Sequence, residues 1–208
     1  MIVYIYNIGV DLYNGFNGLR HRINWTYFTV LDGLAHPLYS RKVINMYSAL
    51  DTACKVVNYA NEKGWSMSNL KLQKVLYFIQ GYYLQMVRKP FFEEEIEAWP
   101  YGPVVPNVYE QFQKYGSGCI PVTNEYTVFD YIKWKDETCV YDENVFSKDD
   151  LAFIEEVVNK LRRYSASDLV TITHLQSPWK NAIKKGKCSI IHKDCIQEYF
   201  DERSKRYS

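Results

Sequence analysis

Apolar residues change their spacing at Met46, and that change organises the rest of the chain. From there Leu50, Ala53, Cys54, Val57 and Ala60 recur at three- and four-residue steps, the spacing that lays one apolar stripe along a helix. Gly64 supplies a stop signal. Ser66 or Ser68 can cap a second helix running from about Leu70 to Val87. Its apolar stripe is Leu72, Val75, Leu76, Ile79, Tyr83 and Met86, and its expected wet side is Lys71, Gln73, Lys74, Gln80 and Gln85. Arg88 and Lys89 suit the negative end of the helix dipole, and Pro90 forbids continuation.

The pattern then shortens. Ile96-Glu97-Ala98-Trp99 alternates like a short strand, Pro100-Tyr101-Gly102-Pro103 has turn composition, and Val104 to Tyr115 resumes a helical period through Val105, Val108, Tyr109 and Phe112. Residues 119–146 are the least regular. Thr127 to Trp134 has strand-like composition, while Asp136 to Asn144 is acidic and turn-prone. Ser147-x-x-Asp150 and Ser165-x-x-Asp168 read as helix starts of the capping-box type, with Asp where Glu or Gln is commoner. Ser177-Pro178 places a cap and then proline at a first helical position. Ile191 to Phe200 forms a last helix. The expected fold is mainly α, a compact helical domain of about six helices with one or two short β-strands.

Residues 1–45 hold no apolar period for three helical turns. They read as an N-terminal appendage, disordered or translated from a mis-assigned start. The alternative is a real arm or strand pair, since Ile2-Val3-Tyr4-Ile5-Tyr6 has strand composition. The working domain is then expected over 46–200, with 201–208 a charged tail that frays.

Composition narrows the function. Lys and Arg number 25 against 24 Asp and Glu, giving a net charge of +1. The appendage holds four basic and two acidic residues, so 46–208 stands at −1. Without a positive field, nucleic acid is an unlikely partner by this reading, and the basic groups at Lys71, Lys74, Arg88, Lys89 and at Lys180, Lys184, Lys185, Lys187 read as solvated helix faces. A 47% hydrophobic and 16% aromatic content excludes a disordered chain. No apolar run is long enough to span a bilayer, so no membrane partner is expected. Five scattered cysteines without a C-x-x-C, and the absence of signal-peptide features, read as reduced thiols in a cytoplasmic protein.

No hydrolase, metalloprotease, phosphate-loop or dinucleotide motif occurs. Cys188-x3-His192-x2-Cys195, with His174 as a fourth ligand, does not have a standard zinc spacing. It reads instead as two buried thiols and a helix-start histidine. Glu93, Glu94, Glu95 and Glu97 read as a solvated edge, because neighbours along a strand alternate faces. His174 lacks a legible nucleophile or acid partner and reads as a histidine hydrogen-bonding across a junction between two helices. The expectation is therefore no enzyme, no catalytic residue, no metal and no cofactor. The aromatics are more telling: Tyr77, Phe78, Tyr82, Tyr83, Phe91, Phe92, Trp99, Tyr101 and Tyr109 crowd one span. Such rings favour an interface, with about half of them filling the core.

That span carries a family resemblance. Leu72-Gln73-Lys74-Val75-Leu76-Tyr77-Phe78-Ile79-Gln80-Gly81-Tyr82-Tyr83-Leu84 resembles the L-x-K-L-L-Y-F-x-Q-G-x-x-L helix of the Panacea domain of SocA-like antitoxins, also described as phage-associated GepA-like proteins. Lys89-Pro90-Phe91-Phe92, Ile96-Glu97-Ala98-Trp99 and Tyr101-Gly102-Pro103-Val104-Val105-Pro106 are similar to its K-P-L-F, I-E-A-W and Y-G-P-V-x-P signatures. Leu169, Thr173-His174 and Pro178-Trp179 resemble its late L-x-x-x-T-H-x-x-x-P-W motif. Pro100 stands where a basic or polar residue is commoner, and Gln176 where an acidic one is. The resemblance covers about Met46 to Phe200.

The resemblance implies a bacterial or prophage antitoxin without enzymatic activity. Its partner would be a cognate protein toxin encoded nearby and, where the antitoxin acts as a proteolytic adaptor, a AAA+ protease. It places the partner-binding or motif residues at Lys74, Tyr77, Gln80, Trp99, Tyr101, Gly102, Pro103, Val104, Pro106, Tyr109, His174, Pro178 and Trp179. The motif spacing suggests that the Y-G-P turn and the T-H-x-x-x-P-W segment pack together. Two prolines and a glycine would make that turn rigid, so that binding costs little entropy. The alternatives are a DNA-binding autoregulator, a prophage-associated protein without a toxin partner, and a hydrolase using His174 with a carboxylate or Cys188.

Overall fold

The computed structural model describes residues 46–130 and 132–205. The appendage expected at 1–45 and the last three residues of the charged tail lie outside the described residues.

Helix α1, Ala49–Glu62, begins at Ser48, whose Oγ accepts from the Leu50 and Asp51 amides. The Glu94 carboxylate also accepts from Ala49 N at 2.9 and 3.0 Å. The chain leaves the helix through Gly64, at φ +70°. Helix α2, Asn69–Val87, starts at Ser68 and ends on Arg88 in the left-handed region, whose N–H returns to Leu84 O. Pro90 follows two residues later, as the stop signal required.

The axis of the fold is α2. Every residue from Lys71 to Leu84 is buried, because other elements cover the helix on all sides. The expected wet side is thereby corrected: Lys71, Gln73, Lys74 and Gln80 are all buried, and only Gln85 is half-buried. Polarity along the sequence reported hydrogen-bonding need, and here the interior meets that need with backbone groups rather than water.

Two antiparallel strands follow, β1 (Glu97–Trp99) and β2 (Gly102–Val104), paired Trp99 to Gly102 around Pro100 and Tyr101. Val104 belongs to this strand and not to the next helix. Helix α3, Pro106–Phe112, starts with proline in its first turn, where no N–H is needed, and continues as a 3-10 turn to Tyr115. A second hairpin joins β3 (Glu125–Asp130) to β4 (Lys135–Val140). The acidic stretch expected as a turn from Asp136 is therefore a strand as far as Val140, because its register sets Cys139 beside the buried Tyr126.

Helix α4, Lys148–Leu161, is capped by Ser147, and α5, Ala166–His174, has a complete capping box between Ser165 and Asp168. Helix α6, Ser177–Ile183, starts from Gln176, one residue earlier than the serine–proline signal suggested. Strand β5, Ser189–Ile190, pairs with β1 and completes a sheet of order β2-β1-β5. Helix α7, Lys193–Lys205, runs past Phe200 into residues expected to fray, with Arg88 ion-paired to Asp201.

Among the described residues this makes seven α-helices and five short strands in two sheets. The class is mainly α, as expected, with one more helix and more strand. Helices α1, α3, α4, α5 and α7 and strand β2 all pack on α2. At the α2–α7 crossing, a Cβ on Gly81 would lie 2.3 Å from the Phe200 ring, so only glycine lets the two helices approach this closely. Among the described residues no helix is long and apolar enough to cross a membrane.

Candidate partner-binding site

The buried polar side chains of α2 reach outward to the main chain of the segments around them. Gln73 Oε1 accepts from Val105 N at 2.9 Å, and its Nε2 donates to Asn69 Oδ1 at 3.0 Å. Asn69 Nδ2 in turn donates to Tyr109 O at 3.0 Å. Lys74 Nζ donates to Pro103 O at 2.8 Å. One helical turn on, Tyr77 OH donates to Gln176 Oε1 at 2.7 Å. Gln80 Oε1 accepts from Phe91 N and Phe92 N at 2.9 and 3.2 Å. The helix thus grips the hairpin, the Phe91-Phe92 segment and the α5–α6 junction.

Gly102 lies where these elements converge. Its φ is +100°, and a Cβ there would lie 2.8 Å from Lys74 Cε and 2.9 Å from Thr173 Oγ1. No other residue type fits both the backbone and the space. The β1–β2 turn is thereby pressed between α2 and α5.

The α5–α6 junction closes over the turn. Trp179 Nε1 donates to Trp99 O at 3.0 Å. The His174 ring stacks on Trp179 at 3.9 Å with an interplanar angle of 12°, and its imidazole donates to the Pro100 backbone carbonyl. The expectation that these two motifs pack together is met in the geometry. The hydrogen bond of His174 goes to a hairpin turn while its ring stacks on Trp179 of α6, and among the described residues its Nε2 is buried without a partner. On the other flank, Trp99 packs against Tyr109 at 4.9 Å and donates to Glu97 Oε2 at 2.8 Å.

Burial sets the electrostatics. It pushes the Lys74 amine down to about 7, and it also lowers His174, with the Lys74 charge adding to the effect. Burial raises the Tyr77 hydroxyl well above its ordinary value. Perturbed groups side by side suggest a site of chemistry. Lys74 has no exposed surface, however, and its amine is walled in by Gly102 and Thr173. Its hydrogen bond to Pro103 O ties the turn to α2.

The sequence-derived residues therefore separate into two layers. Lys74, Tyr77, Gln80, Gly102, Pro103, Val104 and Pro178 are buried and form the backing. Tyr101 stands outside, 70% exposed at the turn tip, next to the exposed Pro100. Trp99, Pro106, Tyr109, His174 and Trp179 are half-buried between the layers. The sequence reading missed Asn69, Gln73 and Thr173, all buried, although polar residues inside an otherwise apolar helix were a usable signal. It also missed Glu94, taken as part of a solvated edge, which caps α1.

Other candidates do not assemble. Cys188 and Cys195 are exposed rather than buried thiols, because Cys188 sits in the turn before β5 and Cys195 on the outside of α7. Among the described residues no three His, Cys, Asp or Glu side chains gather as a metal site.

The family described as "Antitoxin SocA-like, Panacea domain" matches residues 72–180, the span from the apolar start of α2 to α6. The chain is 36% identical over 117 residues to Antitoxin SocA of Caulobacter vibrioides (strain NA1000 / CB15N), covering 54% of this chain and 58% of that relative. The match thus spans little more than half the length of each protein. No solved structure matches.

Proposed function

Because this chain belongs to the SocA-like antitoxin family built on the Panacea domain, we propose that it is a cytoplasmic, non-enzymatic antitoxin that neutralises a protein toxin by binding it directly. The contact surface is the exposed Tyr101 turn with the His174–Trp179 stack beside it. The observation that carries this reading is the backed turn: an exposed tyrosine held at the tip of a hairpin whose inner contacts are all fixed. A ring presented on a rigid support loses little freedom on binding, which favours affinity.

The test is expression of the neighbouring gene alone and together with this one. Toxicity relieved by co-expression, with the two proteins copurifying, is the expected result. A harmless neighbour, or a pair as toxic as the neighbour alone, overturns the reading and leaves a prophage-associated protein without a toxin partner. In the finer version the bound toxin is handed to a AAA+ protease, and the toxin's half-life with and without this chain separates delivery from blocking. Autoregulation through DNA has less support, since 46–208 carries 21 basic against 22 acidic residues. A salt-sensitive gel shift on its own promoter would establish it.

A further inference from the structure

The β3–β4 hairpin carries a face and an edge that the backed turn does not use. On its outward face lie Glu125, Thr127, Phe129, Asp136, Thr138 and Val140, all exposed. The inward face holds Tyr126, Val128 and Cys139, packed on the core. Beyond the strands, Ile132 is 96% and Trp134 76% exposed. These apolar side chains are not on a loose loop. Asp130 Oδ1 accepts from Ile132 N and Lys133 N at 2.8 and 3.0 Å, and Lys133 bridges Asp130 and Glu137. The Phe129 ring meets Trp134 edge-on at 5.4 Å, and Trp134 is held at φ +52°, a strained setting for a bulky residue.

The two edges of the hairpin differ. Thr127 N turns away from β4 and donates to Gln111 Oε1 at 3.2 Å, so β3 is tied to the body. Thr127 pairs with Thr138, and antiparallel pairs alternate between mutually bonded and unbonded. Asp136, Thr138 and Val140 therefore direct their N–H and C=O groups away from β3. Among the described residues nothing receives them. Natural sheets usually blunt such an edge with proline, a bulge or several lysines; this one carries a single Lys135 near the tip.

Charge decides what would cover the edge. The hairpin itself, residues 125–140, holds four acids and two bases, a net −2 in a chain of net +1. Two copies pairing edge to edge would bring two such segments together, and like charges oppose that. We propose that the β4 edge docks an extended, basic segment of a protein partner, which adds as a third strand and sets apolar side chains against Phe129, Trp134 and Val140. This rests on the reading of the chain as a protein-binding antitoxin and gives the partner a second contact.

The test uses the full isotope-labelled chain titrated with an acetylated, amidated peptide of about eight residues alternating Lys or Arg with Val or Ile, and with the same peptide carrying Glu at the basic positions. The basic peptide is expected to bind saturably and slow hydrogen exchange at the Asp136, Thr138 and Val140 amides. Trp134→Ala should weaken it about 10-fold. Thr138→Pro, which removes an outward N–H and no ladder bond, should abolish binding, and Val140→Lys provides a second variant that repels the peptide without touching the backbone. Equal binding of the acidic peptide, unchanged binding by Thr138→Pro and Val140→Lys, no protection at those amides, or a dimer of the free chain with a protected β4 edge would each overturn the proposal. Neutralisation in co-expression is read separately. If it persists when the peptide arm fails, the antitoxin reading stands alone; if it fails while the peptide binds, that reading alone falls.

Discussion

Lys74 and Pro103 meet at the centre of the molecule, where the amine of a lysine with no exposed surface donates to a proline carbonyl at 2.8 Å. The lysine holds the back of the hairpin turn in a place where its charge is costly. Its pKa is pushed down to about 7 by burial, against about 10.4 in an unfolded chain.

The first prediction follows from that difference. Between about pH 7 and 10.4 the unfolded state binds more protons at this site, so its contribution to stability rises with pH, by up to about 1.4 kcal/mol per unit. That stability is lost progressively as pH falls from about 10.4 to about 7, and below about 7, where both states carry the proton, the contribution is flat. Urea midpoints measured from pH 7 to 8.5 should climb in the wild type through this group and climb less in Lys74→Met. Cys54, pushed up to about 12 by burial, works in the opposite direction above about pH 8.5 in both proteins, so the difference between them isolates Lys74. An identical slope would show that the lysine is charged throughout.

Gly102→Ala should destabilise by about 2–4 kcal/mol, combining a disfavoured φ with a close approach to Lys74 and Thr173. Thermal melting checks it. A change below about 0.5 kcal/mol would mean that the turn can move out from its backing.

Gly81→Ala should cost about 1–3 kcal/mol by overpacking against Phe200. Shortening the opposing side chain in the double variant with Phe200→Leu should recover part of the loss. A double-mutant cycle with no coupling would place the strain elsewhere.

Tyr101→Ala is expected to leave stability within about 0.5 kcal/mol of the wild type, as for other exposed surface positions. It should weaken toxin binding about 10-fold or more if the ring anchors the interface. Calorimetric titration of the purified pair beside a melting curve separates the two effects.

Much of this arrangement is legible in the sequence. Ser147 and Ser165 announce helix starts, and Ser68 was one of two candidates with Ser66, because capping is local chemistry, and Arg88-Lys89-Pro90 announces an end for the same reason; the Ser48 cap was not read. The contact between the β1–β2 turn and the α5–α6 junction followed from motif spacing. The inside of α2 was not legible. Lys71, Gln73, Lys74 and Gln80 look like a solvated face, because a polar side chain bonded to a buried carbonyl and one bonded to water have the same sequence signature. The strand at Lys135–Val140 was hidden for a related reason: Asp136 and Glu137 are poor strand formers, and only pairing with β3 places them in a sheet.

The grip of α2 on its surroundings falls mostly on main-chain atoms: the amides of Phe91, Phe92 and Val105 and the carbonyls of Pro103 and Tyr109. Such atoms are the same whichever side chain a position carries. Tyr101, Leu175 and Lys180, all exposed, can therefore be exchanged without loosening the clamp. Exchange of one outer residue at a time leaves each of those main-chain hydrogen bonds in place.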